Sequence, residues 1–505
     1  MQALMLAAGM GRRLGKYTEA MTKCMLSVGG QTLLERTVDS LKEAGVRKFI
    51  MVVGWEADKL VDFIRTHIRD MDFEFVYNHD YAATNNIYSL YLAKEYLVQD
   101  DTLLLESDLV YDRALLRHIV EAPEPDLAAV APYEPWMDGT VAVLDEAGNI
   151  SDFISKKDFS FCNADKYYKT VNIYKFSRSF SETYYLPFLE AYIKAYGMNQ
   201  YYETVLKVIA HIASTKLHTY ILKDVPWYEI DDAQDLDIAN TLFAPEQEKL
   251  RTYERHYGGY WRFPSLMDFC YLVNPYFPPE KMVEQMKYSY TPLLTQYPSG
   301  MAVQKLLAGK MFHLEADRLL VGNGAAELIH MLGAVITGRV IVSIPSFNEY
   351  IRCFSGCEVV SVDSAANDYA INMTQMLDHA AAGDTIILVN PDNPSGQFIE
   401  RQGLLAFLTA CRAKGVRCVV DESFADFAEP EKRFTLLSDD ILQAYPELVV
   451  VKSISKSYGV PGLRLGIIAS ADTNLLQCIQ NAMAIWNINS FAEYFPAMSK
   501  TQETQ

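Results

Sequence analysis

Short β-rich apolar runs alternate with amphipathic helical periods twice along this chain, and that alternation admits few folds. From residue 2 to about 240, ALMLAA reads as a strand, TLLERTVDSLKEAG as a helix, KFIMVVG as a strand, ADKLVDFIRTHI as a helix and FEFVYN as a strand. DTLLLESDLVY and LAAVAPY continue the pattern. This order predicts a mainly parallel sheet covered by helices, with ligands at the carboxyl ends of its strands. A second alternation begins near residue 258. There ELIHMLGAVI is helical, while RVIVSIP, TIILVN, RCVVDES and LVVVKSIS are buried strands closed by polar, Gly or Pro punctuation. Between the two lies TLFAPEQEKLRTYERHY, polar and carrying a Pro, which reads as a linker or connecting helix. The expected organisation is an α/β unit over 1–240, a linker over 241–257 and a second α/β unit over 258–505.

Charge narrows the function. The chain has 45 Lys plus Arg against 64 Asp plus Glu, a net charge of -19. That sign opposes a dedicated nucleic-acid or anionic-membrane binder, but a local cationic cluster can still hold a small anion. The eight cysteines include no CxxC pair and read as reduced, buried thiols. No apolar run approaches the ~18 residues of a membrane span. The start, MQALMLAAGMGRRLG, puts its apolar stretch before the Arg pair, the reverse of a signal peptide. A cytoplasmic protein is expected.

The first chemical motif is LMLAAGMGRRLG, a strand running into a Gly-rich loop. Loop glycines let the backbone approach a phosphate and offer it N–H groups. Arg12, Arg13, Lys16 and Lys23 supply positive charge; a plain tight turn is the alternative. Further on, LLLESDLVY puts Glu106 and Asp108 at one strand end, and WYEIDDAQDL puts Asp231 and Asp232 at another. Such carboxylates suit Mg²⁺, or serve as turn acids and helix N-caps, a role that fits Asp232 and Asp235.

LAAGMGRRLG, TKCMLSVGGQTLLERTVDSL, NNIYSL (85–90), LESDLVY and EIDDAQDL, in this order, resemble the sugar-nucleotidyltransferase superfamily and, within it, the phosphocholine-type cytidylyltransferases. The resemblance spans about residues 1–240 and implies a Rossmann-like nucleotidyltransferase domain. It implies a triphosphate cradle at Ala8, Gly9 and Gly11, with Arg13 and Lys23 neutralising charge and Lys23 catalytic. It assigns Asp108 and Asp231 to Mg²⁺ and makes the reaction attack on the α-phosphorus of CTP. Thr22 stands where that family usually has Pro. Tyr88, Lys156, Asn172, Tyr201 and Glu203, from segments rich in Tyr, Asn and Lys, are expected to hold an aminoalkyl phosphonate or phosphate; core or rim packing is the other reading.

The strongest single signal is VKSISKSYGVPGLRLG (451–466). Lys456 follows a buried strand and is flanked by Ser453 and Ser455, with Arg464 beyond. A Schiff-base lysine needs a depressed pKa, which partial burial near positive charge provides. The hydroxyls and Arg464 suit a phosphate ester. NPDNPSG (390–396) and VVDESFADF (419–427) close two more strands, and GNGAAELIH (322–330) opens a helix with a glycine turn.

Together these resemble the fold-type I, pyridoxal-phosphate-dependent aminotransferases, in the branch of histidinol-phosphate aminotransferase and threonine-phosphate decarboxylase. The match runs over about 258–495 and implies that domain's large-domain fold. By resemblance, Lys456 holds pyridoxal 5'-phosphate and moves the substrate proton. Asp421 pairs with the ring nitrogen, Asn393 with the ring hydroxyl, and Phe347 stacks on the ring. Ala325, Ser453, Ser455 and Arg464 cradle the phosphate. Tyr297 reaches a neighbouring subunit's cofactor, implying a homodimer. Phe424 replaces a tyrosine of many relatives. The chain ends about fifty residues after Lys456 in the polar MSKTQETQ, where that family continues into a small domain. The C-terminal part is therefore expected to be missing, with cofactor binding more secure than turnover.

The pairing resembles 2-aminoethylphosphonate cytidylyltransferases fused to a transaminase. It implies formation of 2-aminoethylphosphonate from phosphonoacetaldehyde, then its CMP derivative from CTP; the amino donor stays open. The alternatives are a phosphocholine acceptor, or a C-terminal module without activity.

Overall fold

The structure is a computed structural model and describes residues 1–212 and 215–498; 499–505, the rest of the polar tail, lie outside the described residues. The chain divides into two compact units, Met1–Asp268 and Phe269–Gln505.

In the first unit, besides the two-residue pair Ser27–Val28 and Gln31–Thr32, the strands are β1 (Gln2–Ala7), β2 (Lys48–Val53), β3 (Asp72–Tyr77), β4 (Thr102–Glu106), β5 (Leu109–Tyr111), β6 (Leu127–Pro132), β7 (Val141–Leu144), β8 (Ile150–Ile154), β9 (Tyr167–Phe176), β10 (His218–Ile221) and β11 (Trp227–Glu229). Nine of them form one sheet. Its main path is β8-β7-β9-β4-β1-β2-β3, β6 pairs with both β9 and β10, and β5 with β11 form a separate ribbon. The half around β1 is parallel, as the alternation predicts. The half around β9 is antiparallel, a correction to the mainly parallel expectation. The cause is the chain after β6, where short strands follow one another without intervening helices long enough for parallel crossovers.

β1 is buried along its whole length because both faces are covered. Ala3, Met5 and Ala7 enter one core with α1 (Leu33–Glu43) and α2 (Ala57–His67). Leu4 and Leu6 enter the other, with α3 (Asn86–Leu92) and α4 (Glu203–Ala210). α1 starts where it does because Thr32 and Glu35 form a reciprocal capping box, a feature worth about 1 kcal/mol.

The segment 241–257 folds back onto this unit. α5 (Ala233–Leu242) is followed by α6 (Glu246–Arg255), tied to it by an Arg255–Asp237 ion pair and by Thr241 Oγ1 against His256 Nε2 at 3.1 Å. The unit continues to Asp268 because Phe263 is buried edge-on against Tyr253 in the same core.

In the second unit the strands are β12 (Leu319–Asn323), β13 (Arg339–Ile344), β14 (Glu358–Asp363), β15 (Thr385–Val389), β16 (Arg417–Asp421), β17 (Leu448–Ser453) and β18 (Leu465–Ser470). The order is β12-β18-β17-β16-β15-β13-β14, and β18 runs antiparallel to both its neighbours. Helices including α7 (Gly324–Val335), α8 (Arg401–Lys414) and α9 (Thr473–Ala482) cover the two faces.

All eight cysteines are free, but only Cys24, Cys411 and Cys418 are buried; Cys162, Cys270 and Cys478 are exposed, which corrects the buried expectation. These three lie in loops or on an outer helix face, away from the sheets. Among the described residues no helix is long and apolar enough to cross a membrane.

Candidate active sites

In the first unit the Gly loop leaves β1 and turns back on itself at Gly11, whose φ of 61° is left-handed. Thr18 Oγ1 donates to Gly11 O at 2.8 Å, and a Cβ on Gly11 would lie 3.1 Å from Lys23 Cγ. Glycine is therefore needed for conformation and for closeness to Lys23. Ala8, Gly9, Gly11, Arg13, Lys23, Asp108 and Asp231 all line one cleft of about 300 Å³.

Strand register brings the two aspartates together. β5 and β11 pair antiparallel with Glu229 opposite Leu109, and Ile230 N donates to Asp108 O at 2.9 Å. Asp108 precedes one strand and Asp231 follows the other, so they end side by side. Lys23 Nζ lies 2.7 Å from Asp108 Oδ2 and 3.0 Å from Asp231 Oδ1, and Arg13 Nη2 lies 2.5 Å from Asp231 Oδ1. Burial disfavours the Lys23 charge, but Asp108 and Asp231 outweigh it and hold its pKa above the usual lysine value. Asp232 instead caps α5, in a reciprocal box with Asp235.

Asp108 Oδ1 is buried without a hydrogen-bond partner. An orphaned carboxylate oxygen beside a second carboxylate fits Mg²⁺, which takes one or two protein carboxylates and completes its shell with water and phosphate oxygens. Among the described residues no group of three or more His, Cys, Asp or Glu is arranged around a metal position, so two carboxylates are the available set.

A larger cleft of about 1030 Å³ shares Arg13, Lys23, Asp108 and Asp231 with the first and brings Lys156, Asn172, Tyr201 and Glu203 to its walls. Lys156 is exposed and pairs with Asp138 at 2.7 Å. Tyr201 is exposed and Glu203 buried. Asn172, at φ 60°, donates through Nδ2 to Glu229 Oε1 at 3.2 Å. Tyr88 is not brought to the walls of either cleft and rests against Tyr91, ring centres 6.2 Å apart. Two positions along α3, about 200° of rotation, separate it from Asn86, which does line the cleft and donates to Glu106 Oε1 at 3.2 Å.

Sequence reasoning did not place in this cleft three residues that line it: Glu106, Lys169 and Glu229. Lys169 is almost wholly buried, 2.9 Å from Glu229 Oε2. Its signal is a lysine at an inward position of the strand KTVNIYKF. Glu106, Glu203 and Glu229 form an acidic wall. Burial raises the pKa of each; nearby Asp108 adds to the effect at Glu106, and Lys169 opposes it at Glu229. Glu203 is pushed up to about 7.

In the second unit parallel register sets three strand ends abreast: Val389 opposite Asp421, and Asp421 opposite Val451. Asn393 follows the first, Asp421 ends the second, and Ser453 ends the third. A one-turn helix, Ile454–Ser457, then presents Lys456. Asp421 is buried; it accepts from Tyr350 OH and from Ser423 N, both at 2.8 Å. Burial raises its pKa against those two bonds. Tyr350, three residues after Phe347, is a partner of Asp421 that the sequence motifs did not mark. Lys456 is half-buried, with Nζ 5.7 Å from the Phe424 ring centre. Burial and then the Arg464 charge lower its pKa.

β18 runs between β12 and β17, so Gly466 faces both Gly322 and Ser453. A Cβ on Gly466 would lie 2.5 Å from Ala325 N, and one on Gly324 2.7 Å from Arg464 Nη2. Backbone, Arg464 and the start of α7 thus converge closely. Ser453 and Ser455 are buried beside them; Ser453 N donates to Ser423 Oγ at 3.0 Å. Phe347 is partly exposed and edge-on to Tyr350 at 6.3 Å. Tyr297 is exposed and stacks on Trp486 at 4.2 Å. A lysine of lowered pKa, a buried carboxylate and a glycine-lined cradle at a helix start fit pyridoxal phosphate.

The cradle yields a prediction. Gly324 has φ 74°, so Gly324→Ala forces a left-handed alanine, costing roughly 1–2 kcal/mol, and pushes on Arg464. Pyridoxal phosphate retention, followed by absorbance after dialysis, is expected to weaken about tenfold.

Residues 3–146 match the model of the MobA-like NTP transferase domain, and residues 264–501 that of aminotransferase class I and II. CMP-5'-(3-aminopropyl)phosphonate synthase of Streptomyces rubellomurinus is 32% identical over 501 residues, covering 98% of this chain and 78% of its own. L-serine phosphate decarboxylase of Sulfurospirillum multivorans is 33% identical over 250 residues, 46% of this chain and 62% of its own. Among solved structures, CTP:phosphocholine cytidylyltransferase from Streptococcus pneumoniae is similar at 23% identity, over 47% of this chain and 97% of its own, with a TM-score of 0.40.

Proposed function

The chain belongs to the family of CMP-5'-(3-aminopropyl)phosphonate synthase, a nucleotidyltransferase joined to an aminotransferase-like domain, and from that premise we propose that its first unit transfers CMP from CTP to 2-aminoethylphosphonate. The observation that carries this reading is the polarity of one cleft. Arg13 and Lys23, ion-paired with Asp231 and Asp108, line the same cleft as the buried carboxyls of Glu106, Glu203 and Glu229, so it offers groups of both signs. An acceptor with a phosphonate at one end and an ammonium at the other matches both.

In the proposed reaction a phosphonate oxygen bonds to the α-phosphorus of CTP while the bond to the β-phosphate oxygen breaks, releasing pyrophosphate. Mg²⁺, when bound, neutralises triphosphate charge. Asp108 and Asp231 would hold it. Lys23 and Arg13, now paired with those carboxylates, would turn to the phosphates, and the Gly loop would offer them backbone N–H groups. Glu203 would receive the ammonium.

The second unit would supply the acceptor by amino transfer to phosphonoacetaldehyde. Pyridoxal phosphate, when bound, serves as the electron sink at the amine-bearing carbon. Lys456 would hold it and move the proton at that carbon. Asp421 would keep its ring nitrogen charged, Asn393 would meet the ring hydroxyl and Phe347 would stack on the ring. Ala325, Ser453, Ser455 and Arg464 would hold its phosphate. The exposure of Tyr297 suits a homodimer in which that tyrosine serves the neighbouring site. A cytoplasmic location goes with this chemistry.

The test is pyrophosphate release with CTP and Mg²⁺, offering 2-aminoethylphosphonate, 3-aminopropylphosphonate and phosphocholine in parallel. Preference for 2-aminoethylphosphonate is expected. Preference for phosphocholine removes the phosphonate assignment and keeps the nucleotidyltransferase.

Glu203 makes a pH prediction. Its pKa near 7 means that below pH 7 it carries a proton and loses its grip on an ammonium. The KM for 2-aminoethylphosphonate is expected to rise as pH falls through 7, and Glu203→Gln to raise KM and flatten that profile. The same shift acts on stability. A carboxyl raised from about 4.3 stabilises the fold below that value and loses the benefit as pH rises through 7. The melting temperature of Glu203→Gln relative to the parent chain is therefore expected to climb between pH 5 and 8.

A further inference from the structure

Lys456 is carried by a helix of only four residues, Ile454–Ser457. So short a helix cannot hold itself. Its last carbonyls find no partner within it, and a single turn fixes more backbone than its own bonds repay. A rotation by one residue, about 100°, would carry the ammonium away from its place over the Phe424 ring. The entry is held by β17, which ends at Ser453. The exit is held by Asn274, a residue that no motif marked and that lies 183 positions before Ser457. Asn274 N donates to Lys456 O at 3.0 Å, and its Nδ2 donates to Ser457 O at 2.8 Å. One residue thus satisfies the carbonyl of the lysine and the carbonyl after it.

The segment that carries Asn274 is anchored apart from that amide. Phe277 lies edge-on to Tyr458 and Phe495, with ring centres 5.5 and 6.4 Å away. Gly459 has φ 59°, and a Cβ there would lie 1.8 Å from Phe277 O and 2.6 Å from Asn274 O. Only glycine lets the turn after the lysine approach the segment so closely. The Asn274 amide touches backbone groups alone: Oδ1 accepts from Tyr276 N at 3.0 Å, which orients the group, and Nδ2 meets Ser457 O. Its bonds set direction and bury no apolar surface.

We propose that Asn274 is a positioning residue for Lys456: its amide and its backbone N–H fix the four-residue helix at the rotation that presents the lysine to pyridoxal phosphate. The proposal rests on the reading of Lys456 as the cofactor lysine and holds whichever reaction the bound cofactor serves. The linkage that this position favours balances within the pair. The lysine nitrogen bonds to the aldehyde carbon of the cofactor, and the aldehyde oxygen leaves as water.

The experiment uses the full chain, stripped of cofactor and reloaded with pyridoxal phosphate. Asn274→Asp keeps the size of the side chain and the bond from Tyr276 N, and turns a carboxylate oxygen toward Ser457 O. Asn274→Ala deletes the amide outright. For each variant the visible absorbance of lysine-linked cofactor is compared with the total pyridoxal phosphate retained on gel filtration. The growth of that absorbance is timed after mixing, and the melting temperature is recorded. The ratio of linked to unlinked cofactor and the rate of growth are expected to fall at least about fivefold in both variants, the factor that one net hydrogen bond supplies. Total retention should fall less, because Arg464 and the serines of the cradle are untouched. Retention that falls in step with the absorbance assigns Asn274 to the fold alone and overturns the proposal. A lowered melting temperature with ratio and rate at their parent values does the same. Should Asn274→Ala fail to fold, Asn274→Asp, with its anchor at Phe277 intact, carries the test. A parent chain whose absorbance never forms, or survives Lys456→Ala, overturns the cofactor reading and this proposal with it.

Discussion

Asp108→Ala is expected to lower Mg²⁺-dependent pyrophosphate release at least ~10³-fold, equivalent to about 4 kcal/mol of transition-state stabilisation. The size follows from the scarcity of ligands. Two carboxylates converge on one point, each within 3.0 Å of Lys23 Nζ, and one oxygen of Asp108 is buried and unmatched. Removing either aspartate halves the charge that can hold the metal. It also leaves the buried Lys23 ammonium with one counter-ion instead of two. Asp231→Ala is expected to act similarly and to free Arg13 as well. Asp232→Ala supplies the contrast. Its carboxylate only caps α5, so the loss should be about 1 kcal/mol of stability, with the rate close to that of the parent chain. Colorimetric pyrophosphate release on the three variants, with melting curves alongside, separates a metal role from a structural one. Comparable loss of rate in all three would remove the assignment. Lys23 itself should add no titration near neutrality, because its neighbours hold its pKa above the ordinary lysine value. A pH dependence near 7 in acceptor affinity that Glu203→Gln flattens is thus attributable to Glu203 and not to Lys23.

The sheets were largely legible because their central strands are parallel and covered on both faces, so they read as continuous apolar runs such as ALMLAA and TIILVN. The antiparallel half was not. β7, β8 and β10 are four or five residues long and only partly buried, so neither length nor alternation marks them strongly. At the sites, residues carried by a motif were brought together: Gly11, Lys23, Asp108 and Asp231 in one cleft, and the ends of β15, β16 and β17 in another place. Residues that matter through cross-strand placement were illegible. Lys169 and Glu229 are sixty positions apart, one on the main sheet and one on the separate β5–β11 ribbon, and become neighbours only in the folded unit. Tyr88 lies off the cleft walls for the complementary reason. NNIYSL marks the helix correctly, but only its Asn86 face turns to the cleft.

Lys456→Ala is expected to abolish the visible absorbance of added pyridoxal phosphate while leaving pyrophosphate release from CTP at its parent value. Two independent features of the lysine support a near-complete loss. Burial and the Arg464 charge depress its pKa, which enriches the neutral amine that attacks an aldehyde. Its place one turn after β17 is fixed by Ser453 and by Val451, opposite Asp421, so neighbouring lysines cannot substitute. Lys452, the nearest in sequence, is buried and paired with Asp426 at 2.8 Å. Retention of the phosphate cradle should still let the variant hold some cofactor noncovalently, so bound pyridoxal phosphate after dialysis should fall less than the absorbance does. Lys456→Arg tests the same point from the other side: it keeps the positive charge and removes the nucleophile, and should match Lys456→Ala in absorbance. Asp108→Ala should leave that absorbance untouched. Because each unit has its own core and its own set of strand ends, the two losses are expected to be separable. A single substitution that removes both activities would require the sites to depend on each other.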